Sequence, residues 1–204
     1  MKIIFTNLMA LTLALNGATI VQAEMLTFDD LPAPPIQGQA IPDDYGGFQW
    51  INYHYLDGNN NNYYPSGFQN SVVSQNNVIY NGFGSTAAIY DGLFMFNSAY
   101  FTAVCNDGLH VRVDGYKSGS KTNSQELIVN TDVPTLVNFN WPNIEMLKFT
   151  AWGGTHRYNG VPYAFAMDDL AYNVIPVPEP SALVMLAGLT VMFAIGYWRR
   201  RMQS

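Results

Sequence analysis

The chain has 204 residues, of which 49% are hydrophobic, 14% aromatic and only 12% charged, with a formal net charge of −6 and one Cys. Charged residues are about half the share usual for a soluble chain, which argues against a cytosolic enzyme surface, and the aromatic content excludes a disordered polymer. A single Cys excludes a disulfide framework and any Cys-based zinc site.

The N-terminus has the pattern of a secretory signal peptide, expected over residues 1–23. Lys2 supplies the positive start, an apolar run follows from Ile3 to about Leu15, and Val21-Gln22-Ala23 offers small residues for cleavage. The apolar run is short for a bilayer span, and the absence of a Cys after the cut argues against a lipoprotein anchor.

Residues 24–175 are expected to form one all-β domain. Helical spacing of apolar residues is hard to find, and short β-rich runs alternate with Gly, Asn, Pro and Asp clusters. The expected strands are 25–31, 48–55, 71–73, 78–80, 87–90, 93–104, 109–116, 124–129, 135–139, 146–151 and 163–172. The clearest alternation puts Leu109, Val111 and Val113 inward with His110, Arg112 and Asp114 outward. Lys117-Ser118-Gly119-Ser120 is a turn that makes a hairpin with the strand around Glu126–Val129. So many strands in a domain of this length predict a two-sheet β-sandwich of the jelly-roll kind.

Two carboxylate pairs bracket this domain. Asp29-Asp30 lies in Thr27-Phe28-Asp29-Asp30-Leu31, and Asp168-Asp169 in Phe165-Ala166-Met167-Asp168-Asp169-Leu170. If the first and last strands are neighbours, all four carboxylates converge, and like charges that close need a cation or a raised pKa. Oxygen-only ligands suit a structural Ca²⁺, which is the expected cofactor. The alternatives are that each pair caps a strand or turn, or that the carboxylates act as acid and base on a glycan.

Aromatic residues crowd the next segment: Tyr45, Phe48, Trp50, Tyr53, Tyr55, Tyr63, Tyr64 and Phe68. Phe48 and Trp50 would share one strand face, and Tyr53 and Tyr55 the other. One set must be core, and the other can be a platform for sugar rings beside Asn52, Asn61 and Asn62. Trp50, Tyr53, Tyr55, Tyr63 and Tyr64 are the candidate ligand-binding residues, against the alternative of core plus scattered surface tyrosines. The run Asp57-Gly58-Asn59-Asn60-Asn61-Asn62 is too polar for a packed strand and is expected to be a surface loop. His54, His110 and His156 lack metal-ligand spacing and are expected to be solvated or satisfied. Cys105 is expected to be a buried free thiol at a strand end. The chain holds no G-x-S-x-G elbow, P-loop or G-x-G-x-x-G element.

Residues 176–204 close the chain with Pro178-Glu179-Pro180, an uncharged apolar stretch over 182–198, and Arg199-Arg200-Arg201. The stretch is at the lower limit for a membrane-spanning helix, Tyr197 and Trp198 sit at an interface position, and three arginines stay cytoplasmic. With a signal peptide this predicts a domain outside and a short basic tail inside. Setting the ends aside leaves five basic against fourteen acidic residues in the domain, a net of −9. That mean charge repels nucleic acid and suits a cation or a neutral sugar.

The tail closely resembles the PEP-CTERM sorting signal of Gram-negative bacteria, with Pro178, Glu179 and Pro180 as the sorting motif and Arg199, Arg200 and Arg201 as the membrane stop. The resemblance implies handling by the secretion machinery and then by an exosortase-type membrane enzyme, with delivery to the envelope, cell surface or exopolysaccharide matrix. The F-D-D-L and F-A-M-D-D-L pieces, with Tyr45-Gly46-Gly47-Phe48-Gln49-Trp50, Asn97–Phe101 and Asn138–Trp141, resemble secreted carbohydrate-binding and galactose-binding-like jelly rolls. That likeness implies the fold, some relatives with a structural Ca²⁺, and a non-enzymatic surface protein that binds extracellular polysaccharide. A glycan hydrolase, or an adhesive surface protein without a small ligand, are the alternatives.

Overall fold

The computed structural model describes residues 23–34 and 38–175. The expected signal peptide up to Gln22, the sorting motif Pro178-Glu179-Pro180, the span over 182–198 and Arg199-Arg200-Arg201 lie outside the described residues.

Among the described residues twelve strands form an all-β sandwich: β1 (Ala23–Leu26), β2 (Gln39–Ala40), β3 (Gln49–Ile51), β4 (Tyr53–Asp57), β5 (Asn77–Asn81), β6 (Ala87–Ala103), β7 (Asn106–Asp107), β8 (Leu109–Lys117), β9 (Ser120–Val129), β10 (Thr135–Trp152), β11 (Thr155–His156) and β12 (Phe165–Val174). The expected strand over 71–73 does not form: a helical turn, α1 (Phe68–Ser71), ends at Ser71, and Val72 and Val73 are irregular. Pairing runs β2-β4-β5-β12-β6-β10-β8-β9, with β1 on β12 and β3 on β6, and a small β7–β11 pair beside it.

The two longest strands make this run into two layers. The start of β6 pairs with β3 and with the end of β10, from Ala87↔Phe149 to Tyr90↔Met146. Its end pairs with β12 and with the start of β10, where Phe101 faces Met167 and Thr135. Between these halves the β10 register breaks at Asn138/Trp141, Trp141/Ile144 and Ile144/Met146. Asn140 (φ 52°) and Asn143 (φ 59°) take left-handed backbone there, a conformation that asparagine tolerates better than branched residues. Each bulge bends β10, so one layer holds β3, β8 and β9 and the other β2, β4, β5, β12 and β1. Where sequence separates 87–90 from 93–104, and 135–139 from 146–151, the structure joins each pair into one bent strand.

The core lies between the layers. Leu109, Val111 and Val113 are fully buried from one side, and Phe101, Phe165 and Met167 from the other. Tyr53, Phe101, Phe149 and Phe165 meet across it at ring separations of 5.7–6.4 Å, mostly edge-on or tilted, the arrangement that ring quadrupoles favour. The β8–β9 hairpin closes through Ser118 (φ 49°) and Gly119 (φ 74°) between Lys117 and Ser120, two left-handed residues as a twisted hairpin requires. First and last strands are neighbours, with Ala23 opposite Asn173 and Leu26 opposite Leu170.

Candidate functional site: an aromatic cleft over the β4–β5–β12 layer

A second, smaller apolar cluster covers the outside of the layer containing β4, β5 and β12. Leu56, Val78, Val104, Cys105, Ala164 and Ala166 form it, with Tyr63, Phe68, Val72 and Tyr80 packed against it. The segment from Asp57 to Val72 folds over this cluster because its polar residues satisfy its own backbone. Asp57 accepts the Asn59 N–H (3.0 Å), Asn60 Oδ1 accepts the Asn62 N–H (3.0 Å), and Asn59 Nδ2 donates to the Gln75 carbonyl (3.0 Å). The Asn-rich run is therefore a surface loop with local order. Gly67 seats it: its N–H donates to the Val104 carbonyl at 2.8 Å, and a Cβ there would stand 1.8 Å from the Ala103 carbonyl oxygen.

Between this loop and residues 159–164 lies a cleft of about 460 Å³. Tyr63, Phe68 and Tyr80 wall it with edge-on ring contacts of 5.4 and 5.3 Å. Tyr64 and Phe83 stand at the mouth, 75% and 82% exposed. Phe83 occupies a left-handed position (φ 55°) between Gly82 and Gly84, which turns its ring out of the core. Asn62 and Asn159 supply polar edges, while the buried Ser66 hydroxyl is committed to the loop, donating to Gln69 Oε1 and accepting the Phe68 N–H. Asn81, also at the wall, is committed to structure: its amide donates to Ser85 and Tyr163 carbonyls and its oxygen accepts the Phe165 N–H. Burial pushes the Cys105 thiol upward, and its Sγ lies 3.9 Å from the Asn159 carbonyl oxygen, so it is an inert part of the wall.

The sequence-based candidates divide. Tyr63 and Tyr64 belong to the cleft. Tyr53 and Tyr55 do not: they are 2% and 0% exposed in the main core, so their place on a sugar platform is corrected. Trp50 is half-buried against the same core and donates its indole N–H to the Tyr45 carbonyl at 2.9 Å. The physical reason is Asn52. It takes left-handed backbone (φ 56°), its Nδ2 donates to the Gly82 and Thr86 carbonyls (3.0 and 3.1 Å), and its carbonyl accepts the Gly82 N–H. The expected strand 48–55 breaks there into β3 and β4. Strict alternation is lost, and Phe48, Tyr53 and Tyr55 all turn inward. Sequence alone does not mark Phe68, Tyr80, Phe83 and the 159–161 segment as ligand-binding candidates. The Gly82-Phe83-Gly84 pattern is the local signal that could have found Phe83, since a large ring between two glycines sits on a turn.

The four aspartates play a different part. Asp29 and Asp30 lie in a turn after β1, where Phe28 is left-handed (φ 64°), and Asp169 is left-handed (φ 48°) at a register break in β12. Neither pair therefore alternates across a strand. Five consecutive N–H groups leading into the first residue of β5 point at two carboxylates: Val73 and Ser74 donate to Asp168 (2.8 and 3.0 Å), and Gln75, Asn76 and Asn77 to Asp29 (3.1, 2.8 and 2.9 Å). Burial opposes ionisation of Asp29, but the Ser74 hydroxyl and the backbone donors outweigh it, and its carboxyl stays below the usual range. Asp168 is fully buried, and that burial pushes its carboxyl up to about 6 despite three backbone donors, with Asp169 repulsion adding to the rise. Burial and repulsion from Asp29 raise Asp169, whose Oδ1 is buried without a hydrogen-bond partner. Asp30 accepts the Tyr45 hydroxyl at 2.5 Å. Among the described residues no group of three or more His, Cys, Asp or Glu stands close enough to hold a metal ion. None of the four aspartates lines the cleft.

The histidines are scattered. His110 bonds Glu126 at 2.7 Å and His156 is exposed. His54 differs from the sequence expectation, since its Nδ1 is buried without a hydrogen-bond partner between Tyr80 and Phe83.

Comparison with known proteins assigns the tail. Residues 176–201 carry the PEP-CTERM protein-sorting motif. The motif marks the chain for export and membrane-anchored sorting, and it implies processing by exosortase-type machinery. No curated protein matches the chain. Among solved structures, the chain is similar to TmCBM61, determined in complex with beta-1,4-galactotriose, at 9% identity over 69% of this chain and 92% of that one, with a TM-score of 0.35.

Proposed function

We propose that this exported chain is a non-enzymatic surface protein whose β-sandwich, residues 24–175, binds a neutral extracellular polysaccharide in the aromatic cleft. On this reading residues 1–23 are removed as a signal peptide, residues 176–204 are the sorting segment with a span over 182–198, and the destination is the envelope surface or matrix. The observation that carries the proposal is the cleft itself. Tyr64 and Phe83 present rings at its mouth, Tyr63, Phe68 and Tyr80 wall it, and Asn62 and Asn159 offer hydrogen-bonding edges. Sugar rings have apolar C–H faces and hydroxyl rims, and this mixture of surfaces complements both. Glycan hydrolysis is disfavoured because the candidate carboxylates lie elsewhere, and those of Asp29 and Asp168 accept backbone N–H groups.

A glycan-array screen of the full chain in non-ionic detergent tests the proposal. Saturable binding to a neutral oligosaccharide supports it. A folded chain that binds no glycan but self-associates moves the account to the purely adhesive role. Structural calcium is a separate proposal, resting on the repulsion between Asp29 and Asp169, which a bound cation would relieve.

A further inference from the structure

The net charge of the domain hides a division. Arg112, Lys117, Lys121 and Lys148 all lie on β8, its turn, β9 and β10, together with three acids, Asp114, Glu126 and Glu145. The rest of the domain holds one basic residue, Arg157, against eleven acids. The outward faces of β8, β9 and β10 therefore form the one region of the described residues where positive charge is not outnumbered.

The register places the side chains of this face. Leu147 and Phe149 are fully buried, so Lys148, Thr150 and Trp152 point outward. They stand opposite Asp114, Arg112 and His110 of β8, which alternate with the buried Val113, Val111 and Leu109. Trp152 is half-buried, with the His110 ring stacked on it at 5.6 Å and 21° and the Arg112 guanidinium 5.7 Å from its ring centre. Asp114 is buried beneath this face. Burial opposes its ionisation, but the Ser124 hydroxyl, Arg112 and Lys121 more than offset that and hold its carboxyl below the usual range. It engages Arg112 only through Nε, at 3.1 Å, and Lys121 at 3.5 Å. Glu126 is turned to His110. The two Nη groups of Arg112, the Lys148 ammonium and the Trp152 indole N–H have no hydrogen-bond partner among the described residues.

We infer that this face is a second binding platform, distinct from the cleft, and that it takes an anionic polysaccharide whose sugar carboxylates pair with Arg112 and Lys148 while a sugar ring lies along Trp152. Guanidinium is suited to a carboxylate because its planar Nη edge matches the two oxygens. Donors spread over a three-stranded surface fit an extended chain, and from Lys148 to Trp152 the face spans roughly 13 Å along the strand. An acidic glycan would be repelled by the rest of the domain, so its approach is confined to this face.

The test is a titration of the full chain in non-ionic detergent with sodium polygalacturonate and, separately, with its fully methyl-esterified form, which keeps the sugars and removes the charge. The acid form is expected to bind at least tenfold more tightly than the ester and to weaken as salt rises. The double substitution Arg112→Gln with Lys148→Gln is expected to lose at least tenfold in affinity, with a modest fall in melting temperature because Arg112 also pairs with the buried Asp114, while Lys148→Gln alone weakens binding with no change in melting temperature. Trp152→Phe is expected to abolish the binding-linked change in indole fluorescence, and Tyr64→Ala in the cleft to leave polygalacturonate binding intact. Equal binding of acid and ester, unaltered affinity in the double variant, or no binding of polygalacturonate would each overturn the inference. Loss in Tyr64→Ala would place the glycan in the cleft instead and equally overturn it.

Discussion

Replacing Asp168 by Asn tests how the last strand is stitched to the segment that carries the cleft wall. Asp168 accepts the N–H groups of Val73 and Ser74 and of its neighbour Asp169, and the Ser74 hydroxyl lies 3.2 Å from both oxygens. Its carboxyl stands at about 6 against an ordinary 3.8, so between those pH values the folded chain holds a proton there that the unfolded chain has released. The sign follows from proton linkage. A raised folded-state pKa makes a stabilising contribution that is fully present below pH 3.8 and is lost as pH rises through 6. Between pH 7.5 and pH 5 the wild-type chain gains about 1.4 kcal/mol from this one group, since one pKa unit corresponds to about 1.4 kcal/mol. Asn cannot titrate, so the stability difference between wild type and Asp168→Asn should be larger at pH 5 than at pH 7.5 by that amount. In a domain of this size it corresponds to roughly 3–6 °C in melting temperature. Thermal melts of both proteins at the two pH values measure it. A difference that does not change with pH, or one that grows toward pH 7.5, would refute the reasoning: the N–H donors would then outweigh burial and keep Asp168 ionised in the fold.

Three further outcomes are expected. Asn52→Ala removes two amide hydrogen bonds and puts at a left-handed position a residue that lacks asparagine's tolerance for it, so it should cost about 2–3 kcal/mol in urea unfolding, with Asn52→Gly costing less. Gly67→Ala forces a Cβ against the Ala103 carbonyl, should cost roughly 3 kcal/mol and should release the cleft loop, which limited proteolysis near residues 62–68 would detect. If a calcium ion sits between Asp29 and Asp169, the full chain melts higher in millimolar calcium than in chelator, and coincident melts remove calcium from the account.

The parts of the fold that were legible in the sequence are those governed by strict two-residue alternation. Leu109, Val111 and Val113 face inward as their spacing predicts, and the Ser118-Gly119 turn closes the hairpin that its residues call for. Reasoning from alternation fails where a non-glycine residue takes left-handed backbone. Asn52 turns Tyr53 and Tyr55 into the core, Asn140 and Asn143 carry β10 from one layer to the other, and Asp169 takes its pair out of strand register. Asparagine and aspartate adopt this conformation several-fold more often than most residues but also occupy ordinary loops, so their presence alone does not mark the bend. The cleft was partly legible. Tyr63 and Tyr64 come from a visibly unusual segment, whereas Tyr80, Phe83 and residues 159–161 reach it from distant parts of the chain, and only the β4–β5–β12 pairing brings them there. Trp152 is not legible as a site residue in the sequence, because its partners His110 and Arg112 lie across a strand pair and not beside it in the chain.

The central claim is that the aromatic mouth of the cleft holds a neutral sugar. Its most direct test is the dissociation constant of the best neutral oligosaccharide from the array, measured by calorimetry for the wild-type chain and for Tyr64→Ala and Phe83→Ala. Both rings are mostly exposed, so neither change should lower the melting temperature measurably. The account predicts that each variant binds at least tenfold more weakly, a loss of about 1.4 kcal/mol and within the range of one aromatic contact. Unchanged affinity in both folded variants would contradict it.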